Sequence, residues 1–172
     1  MAVAPDGSCL VTETSNGRVR RVAPDGTVTT VAGSGEMGDT DGPGEVATFD
    51  IPNGIAVDRR GDIYVTEPDD RRVRRIAPDG GGGWVVSTVV AGLDAPRGIA
   101  VDPAGHLVVA DTHHHRVVRV DPATGAITVL AGDGTAGFRD GPGATARFDF
   151  PRGVAVDRRG DIFVAEPRGT VR

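Results

Sequence analysis

Four segments of this chain align with one another: "MAVAPDGSCLVTE" (1–13), "IAVDRRGDIYVTE" (55–67), "IAVDPAGHLVVAD" (99–111) and "VAVDRRGDIFVAE" (154–166). Internal repetition constrains the fold more than any other feature, because a unit too small to bury its own apolar faces must stack on copies of itself. The glycines Gly7, Gly61, Gly105 and Gly160 stand 54, 44 and 55 residues apart. A polar turn and a Val/Arg run follow each segment: "NGRVRRV", "RRVRRI", "HRVVRV" and "GTVR". The three complete units add a further run, "TVTTVAG", "WVVSTVVAG" and "ITVLAG". Each unit therefore reads as four short strands joined by hairpins. Length changes fall in the connections, as stacked units tolerate best. The second unit gains residues around Gly81 to Val85 and has a much shorter exit to the third.

Four strands at this period match the blade of a β-propeller. The expected class is all-β: an open arc of about three and a half four-stranded antiparallel blades. The units run 1–50, 51–95, 96–150 and 151–172, and the first and third end in long junctions, 33–52 and 132–151. "IYV", "LVV" and "IFV" are apolar at consecutive positions, as in strands packed on both faces. Small residues (Ala2, Ala56, Ala100, Ala155) in the first strand fit crowding near a central axis. The third strand alternates, with Val19, Val73 and Val117 separated from their neighbours by arginines, and reads as more exposed. Cys9 aligns with Ile63, Leu107 and Ile162 and reads as a buried apolar substitute; being alone, it excludes an internal disulfide. Helix-filling residues are scarce, with neither Lys nor Gln present.

A net charge of −5 and 4% aromatic residues argue against nucleic acid as a partner. No apolar run reaches the length of a membrane span, and Met1 leads into "AVAPDG" without a basic segment or apolar core of a signal peptide.

The phrases "PNGIAVDRRGDIYVTE" and "PRGIAVDPAGHLVVADTHHHRVVRV" resemble the NHL repeat, with its Pro-x-Gly-Ile-Ala-Val-Asp opening, Gly-led second strand and Asp-Thr-x-Asn-His-Arg-Val turn. The junctions "AGSGEMGDTDGPGEVATFDIP" and "AGDGTAGFRDGPGATARFDFP" are similar to those of bacterial NHL proteins, including proteins fused to a thioredoxin-like domain. No Cys-x-x-Cys occurs, so that fused activity does not carry over. The resemblance implies a propeller of about six blades that binds partners or ligands, and no reaction, since one fold hosts many functions.

Candidate chemistry is confined to a few places. "DTHHHRVV" (111–118) suggests zinc, yet adjacent residues of a turn diverge, and His106 is the sole remaining histidine; a structural role for His114 and His115 is the reading adopted. The acids Glu13, Glu67, Asp111 and Glu166 end the second strand of every unit. They suggest either a metal ring of the kind lactonase-type propellers carry or, as repetition favours, acceptors for the turn that follows. "GDTDGPGE" (38–45) resembles a calcium loop through Asp39, Asp41 and Glu45, but its copy "GFRDGPGA" keeps only Asp140. The two copies share Asp-Gly-Pro-Gly and the apolar pairs Ala47/Phe49 and Ala146/Phe148, which read as anchors docking the junction. Arg21, Arg75 and Arg119, with Arg74 and Arg72 nearby, form a ladder best read as salt-bridged.

The expected function is therefore a non-catalytic module for protein or small-ligand binding, with no cofactor, metal or catalytic residue assigned. The alternative is a metal-dependent lactonase- or lyase-type propeller enzyme. The binding face is expected where long junctions and turns between second and third strands emerge together: Glu13, Asn16, Asp39, Asp41, Glu67, Asp70, Asp111, His114, His115, Asp140 and Glu166. Closed propellers hold about four to eight blades, so the remaining blades are expected from a longer chain or a second copy, the sequence reading as a fragment. Replacing His113, His114 and His115 together with Asn should leave thermal unfolding nearly unchanged, within about 0.5 kcal/mol; differential scanning calorimetry checks this.

Overall fold

A computed structural model describes residues 1–167 and 169–172. The first sheet pairs β1 (Ala2–Val3), β2 (Cys9–Glu13), β3 (Arg18–Val22) and β4 (Val28–Ala32) in chain order. The second contains β5 (Gly42–Pro43), β6 (Ile55–Val57), β7 (Ile63–Glu67), β8 (Arg72–Pro78) and β9 (Trp84–Ala91) in the order β5-β9-β8-β7-β6. The third is β10 (Pro96–Val101), β11 (Leu107–Asp111), β12 (Arg116–Val120) and β13 (Ile127–Ala131). β14 (Gly153–Val156) and β15 (Ile162–Ala165) form the last sheet, extended by an isolated bridge from Ala165 to Val171. All pairings are antiparallel, so the architecture is an open β-propeller arc.

The chain makes each blade with repeated devices. Asp58, Asp102 and Asp157 cap the first hairpin, each carboxylate accepting N–H groups two and four residues on. Their bonds close around Gly61, Gly105 and Gly160, all at positive φ, where glycine carries no steric penalty. The turn between second and third strands exits through a left-handed residue: Gly17, Arg71 or His115. Each complete blade also has a register shift in its outer pair, opposite Val19/Arg20, Val73/Arg74 and Val117/Val118. Such a bulge adds twist and re-aims the side chains beyond it.

Neighbouring blades meet through their first strands and through buried or half-buried threonines. Thr12 and Thr66 hydroxyls donate to the carbonyls of Asn53 and Arg97 (2.8 and 2.7 Å), and Thr14 and Thr112 donate to Pro52 and Pro151 (3.0 and 2.7 Å). The glycines of the first two Pro-x-Gly turns are fixed by this approach. A methyl group at Gly54 or Gly98 would lie 2.0 or 2.4 Å from the carbonyl oxygen of Arg97 or Arg152. Between sheets lie aliphatic layers, Leu10/Val19/Ile63/Val65/Ile76 in the first interface and Leu107/Val109/Val118/Val120 with Tyr64 and Ile99 in the next. The consecutive apolar runs thus serve both faces of a blade, as the sequence pattern requires.

Three sequence expectations change. The residues gained near Gly81–Val85 do not enlarge a loop; they lengthen β8 and β9, whose pairing runs out to Pro78 and Trp84. That extension receives β5, a piece of the first long junction, as a fifth strand through Gly42↔Val86 and Pro43↔Val85. Third strands are also less exposed than alternation suggested: Val73, Arg74 and Ile76 are all fully buried, Arg74 beneath the junction and Val73 in the layer shared with the third blade. Cys9 is half-buried, unlike Ile63 and Leu107, since its sheet has no blade on its outer side among the described residues.

The junction anchors are where the repeat placed them. Phe49 and Ala47 are 0% exposed, and Phe148 and Ala146 are buried too. Phe49→Ala should cost about 3–5 kcal/mol, read as a lowered denaturant midpoint and new protease cleavage within 36–50.

Candidate functional site

On the face where the long junctions emerge, the central group is Arg74. It is 0% exposed, and every donor direction is used. Nε and Nη2 donate to Asp41 Oδ1 at 3.0 and 2.6 Å, and Nη1 donates to Glu67 Oε2 at 3.1 Å. The carbonyls of Thr40 and Thr48 accept at 2.9 and 3.1 Å, and the guanidinium carbon lies 5.3 Å from the centre of the Phe49 ring. Asp41 then reaches the β9 edge, accepting the Thr88 N–H at 2.9 Å. A guanidinium offers five donors in a fixed fork, so a buried one locks all its partners into one arrangement. Burial pushes the Glu67 carboxyl up to about 7, with the Arg74 charge pulling it back down.

The carboxylates that end the second strands share one further role. Glu67 Oε1 accepts the Asp50 N–H at 2.8 Å, Asp111 Oδ1 that of Asp94 at 2.6 Å, and Glu166 Oε1 that of Asp149 at 2.6 Å, each donor 17 residues earlier. They therefore receive the incoming connection, not chiefly the turn that follows. The next residue of that connection (Ile51, Ala95, Phe150) has positive φ, a strained state for these side chains that the carboxylate bond helps to hold.

The fourth blade repeats the arrangement through Arg172. Its Nε donates to Asp140 at 3.1 Å, and Nη1 and Nη2 donate to the Arg147 carbonyl at 2.5 and 2.8 Å. It stacks 4.4 and 5.0 Å from the rings of Phe138 and Phe148, with Glu166 at 3.9 Å. The third blade, entered by the short connection, differs. Val118 stands where Arg74 does, and Asp111 is held by Arg116 Nε at 2.7 Å and His114 Nδ1 at 2.9 Å.

The histidines diverge. His113 lies 3.7 Å from Asp94, His114 bonds Asp111, and His115 Nδ1 accepts the Phe150 N–H at 3.3 Å while its ring meets Phe150 edge-on at 4.5 Å. Among the described residues no group of three or more His, Cys, Asp or Glu side chains converges as metal ligands.

The remaining candidate residues lie around these anchors. Glu13 pairs with Arg20 at 3.2 Å, Asn16 is exposed, and Asp39 meets Arg72 at 3.2 Å. Asp70 is half-buried beside Asp50, whose carboxyl is raised by burial and by the charges of Asp70 and Asp69. The structure thus ties Asp41, Glu67, Asp111, Asp140 and Glu166 into its framework and leaves Asn16 and Asp39 toward solvent. Exposed apolar residues accompany them: Met37, at the Gly17 turn; Phe150, against His113 and His115; and Phe138 over Arg172. Sequence reasoning placed Arg74 only beside the salt-bridged ladder of the outer strands and did not single out Arg172. The available signal was that Arg occupies this position where a long junction precedes the unit, and Val where the junction is short. The ladder did form as salt bridges, Arg75 to Asp62 at 2.6 Å, Arg119 to Asp102 at 3.2 Å, and Arg21 to Asp6.

Comparison with known proteins agrees with this geometry. Residues 93–120 match the family model for the NHL repeat. No curated protein matches. An auxiliary nutrient binding protein from Bacteroides thetaiotaomicron superposes with a TM-score of 0.70 at 19% identity, over 93% of this chain and 43% of that one. Virginiamycin B lyase from Staphylococcus aureus gives 0.62 at 14% identity, over 99% and 52%. A chain of a nidogen/laminin complex gives 0.69 at 21% identity, over 96% and 55%. The chain thus spans about half the length of these solved structures. The chain thus carries an NHL repeat at 93–120 within a β-propeller fold.

Arg74→Ala should cost about 3–5 kcal/mol, the range for breaking one side of a buried ion pair. Arg20→Ala, at the same place in the first blade but partly solvated, should cost within about 1 kcal/mol. Urea unfolding of both variants checks the contrast.

Proposed function

We propose that this NHL-repeat propeller chain is a non-catalytic binding module that takes a protein or small ligand on the face bearing its two long junctions. One observation carries the reading. The junctions are fixed by Arg74 with buried Glu67 and by Arg172 with Asp140 and the Arg147 carbonyl, and they present exposed Met37, Phe138 and Phe150 (46%, 64% and 41% accessible) beside Asn16, Asp39 and the histidine turn. Apolar side chains held on a rigid frame and rimmed by polar groups are the composition of a binding surface. They contact their partner without a large ordering cost, since the frame is already set. Two of the compared propellers are named for such roles, one in nutrient binding and one in a complex with laminin, and those names lend support by analogy of fold.

The second reading is a metal-dependent lactonase- or lyase-type enzyme, and the fold shared with virginiamycin B lyase keeps it open. Against it stands the engagement of Glu67, Asp111 and Glu166 with backbone N–H groups and arginines, which leaves their oxygens little freedom to take a cation.

The test pairs a photo-crosslinking residue at Phe150 with one at Arg60, used in extracts of the source organism, with divalent-metal analysis and lactone and depsipeptide turnover assays alongside. A discrete adduct at 150 and none at 60, lost when Met37 and Phe138 are changed to Ser, is the expected result. Stoichiometric Ca²⁺ or Zn²⁺ surviving dialysis, with turnover abolished by Glu67→Gln, would replace the binding reading with the enzymatic one.

A further inference from the structure

On the side of the blades away from the long junctions, hairpins of the second and third blades border a cavity of about 530 Å³, within the size range of small-molecule sites. The second blade contributes the β6–β7 hairpin with Tyr64 and Arg75. The third contributes the β10–β11 hairpin with Pro103 and His106, and the turn at Asp121 and Pro122. The corresponding groove between the first and second blades holds about 300 Å³ and is lined by Leu10, Ile63 and Trp84 among others. Tyr64 sets the larger cavity apart. It pairs with Ala56 where Leu10, Val108 and Phe163 pair with Ala2, Ala100 and Ala155.

A tyrosine only 3% exposed, packed among aliphatic residues, brings a hydroxyl that its apolar copies do without. Burial, with the charges of Asp58 and Asp62, pushes the phenol up to about 12, so it keeps its proton and can donate. Across the sheet from it, Arg75 Nε and Nη2 both donate to one oxygen of Asp62, Oδ2, at 3.0 and 2.6 Å. Asp62 Oδ1 and Arg75 Nη1 take no hydrogen bond among the described residues. Both side chains line the cavity, and they keep 10% and 41% of their surface open. An acceptor and a donor are thus held side by side. A hydroxyl both donates and accepts, so two on neighbouring carbons satisfy such a pair together.

The charges around the cavity nearly cancel. Four aspartates and three arginines line it, and one of the four, Asp102, is paired with Arg119 at 3.2 Å. A field so balanced favours neither an anion nor a cation. Pro103, Pro122 and Val101 add apolar surface between the polar groups.

We propose that this cavity binds a neutral polyhydroxylated molecule, a mono- or disaccharide. Adjacent hydroxyls meet the Asp62–Arg75 pair, a further one meets Tyr64, and the C–H face lies against Pro103 and Pro122.

Saturation-transfer NMR and isothermal titration of the full chain test this with glucose, galactose, mannose, xylose, maltose and cellobiose. Inorganic phosphate, citrate and spermidine serve as charged controls. At least one of these sugars should bind saturably, and the charged controls should not. Tyr64→Phe, which installs the residue of the fourth blade, should weaken that binding about tenfold or more while leaving thermal unfolding nearly unchanged. Arg75→Met should abolish binding. Phe150→Ser, on the junction face, should leave sugar binding intact, so this site and that face fail independently. No saturable binding by any of the sugars, affinity unchanged in Tyr64→Phe, or loss of binding in Phe150→Ser would overturn the proposal. So would binding of a charged control that Arg75→Met removes.

Discussion

Taking a guanidinium out of water is tolerated only if all its donors and its charge are met at once, and Arg74 meets them with parts from two places in the chain. Glu67 ends the second strand of its own blade, Asp41 and the carbonyls of Thr40 and Thr48 come from the junction, and Phe49 supplies the ring beneath. None of these is worth burying alone. Together they convert a stretch of some twenty residues, rich in glycine and without regular structure of its own beyond β5, into a fixed layer of the second blade. The stability gained from such a pair over an apolar alternative is small; what it adds is a single arrangement.

The arrangement propagates outward and inward. Outward, Asp41 holds Thr88 and the junction becomes a fifth strand on the lengthened β9, covering an edge that would otherwise invite pairing with another chain. Inward, Glu67 holds the Asp50 N–H just before the left-handed Ile51, which sets the angle at which the chain enters β6 beside the axis. The fourth blade repeats the plan with Arg172, Asp140 and Glu166, while the third replaces it with Asp111, Arg116 and His114 around a shorter connection. The exposed Met37, Phe138 and Phe150 owe their positions to these locks, which is why the proposed binding face depends on them.

Much of the fold was legible because repetition reports on packing directly. Alignment of "IAVDRRGDIYVTE" with its copies gives the strands, and the shared Phe49/Phe148 gives the docked junctions. The locks were harder to read for a physical reason. An arginine in a strand that alternates with valine looks solvated, and only a covering segment distant in sequence reverses that. The covering segment itself reads as a loop, since two residues of strand carry no periodicity. The histidine turn misleads in the opposite sense: three ligand-type residues in a row stand out, yet the left-handed backbone at His115 turns them toward Asp94, Asp111 and Phe150. The acids were read both as acceptors for the following turn and as part of the binding face; their bonds to the incoming connection were not read, because a contact 17 residues upstream leaves no local signature.

The most direct measurement is amide hydrogen exchange at Asp50 and Thr88, whose N–H groups donate to the carboxylates of Glu67 and Asp41. If the arginine lock fixes the junction, both should exchange as slowly as the paired amides of β7 and β8, and both should lose that protection together in Arg74→Met. Exchange at the rate of an open loop in the unmodified chain, or protection that persists without Arg74, would contradict the account.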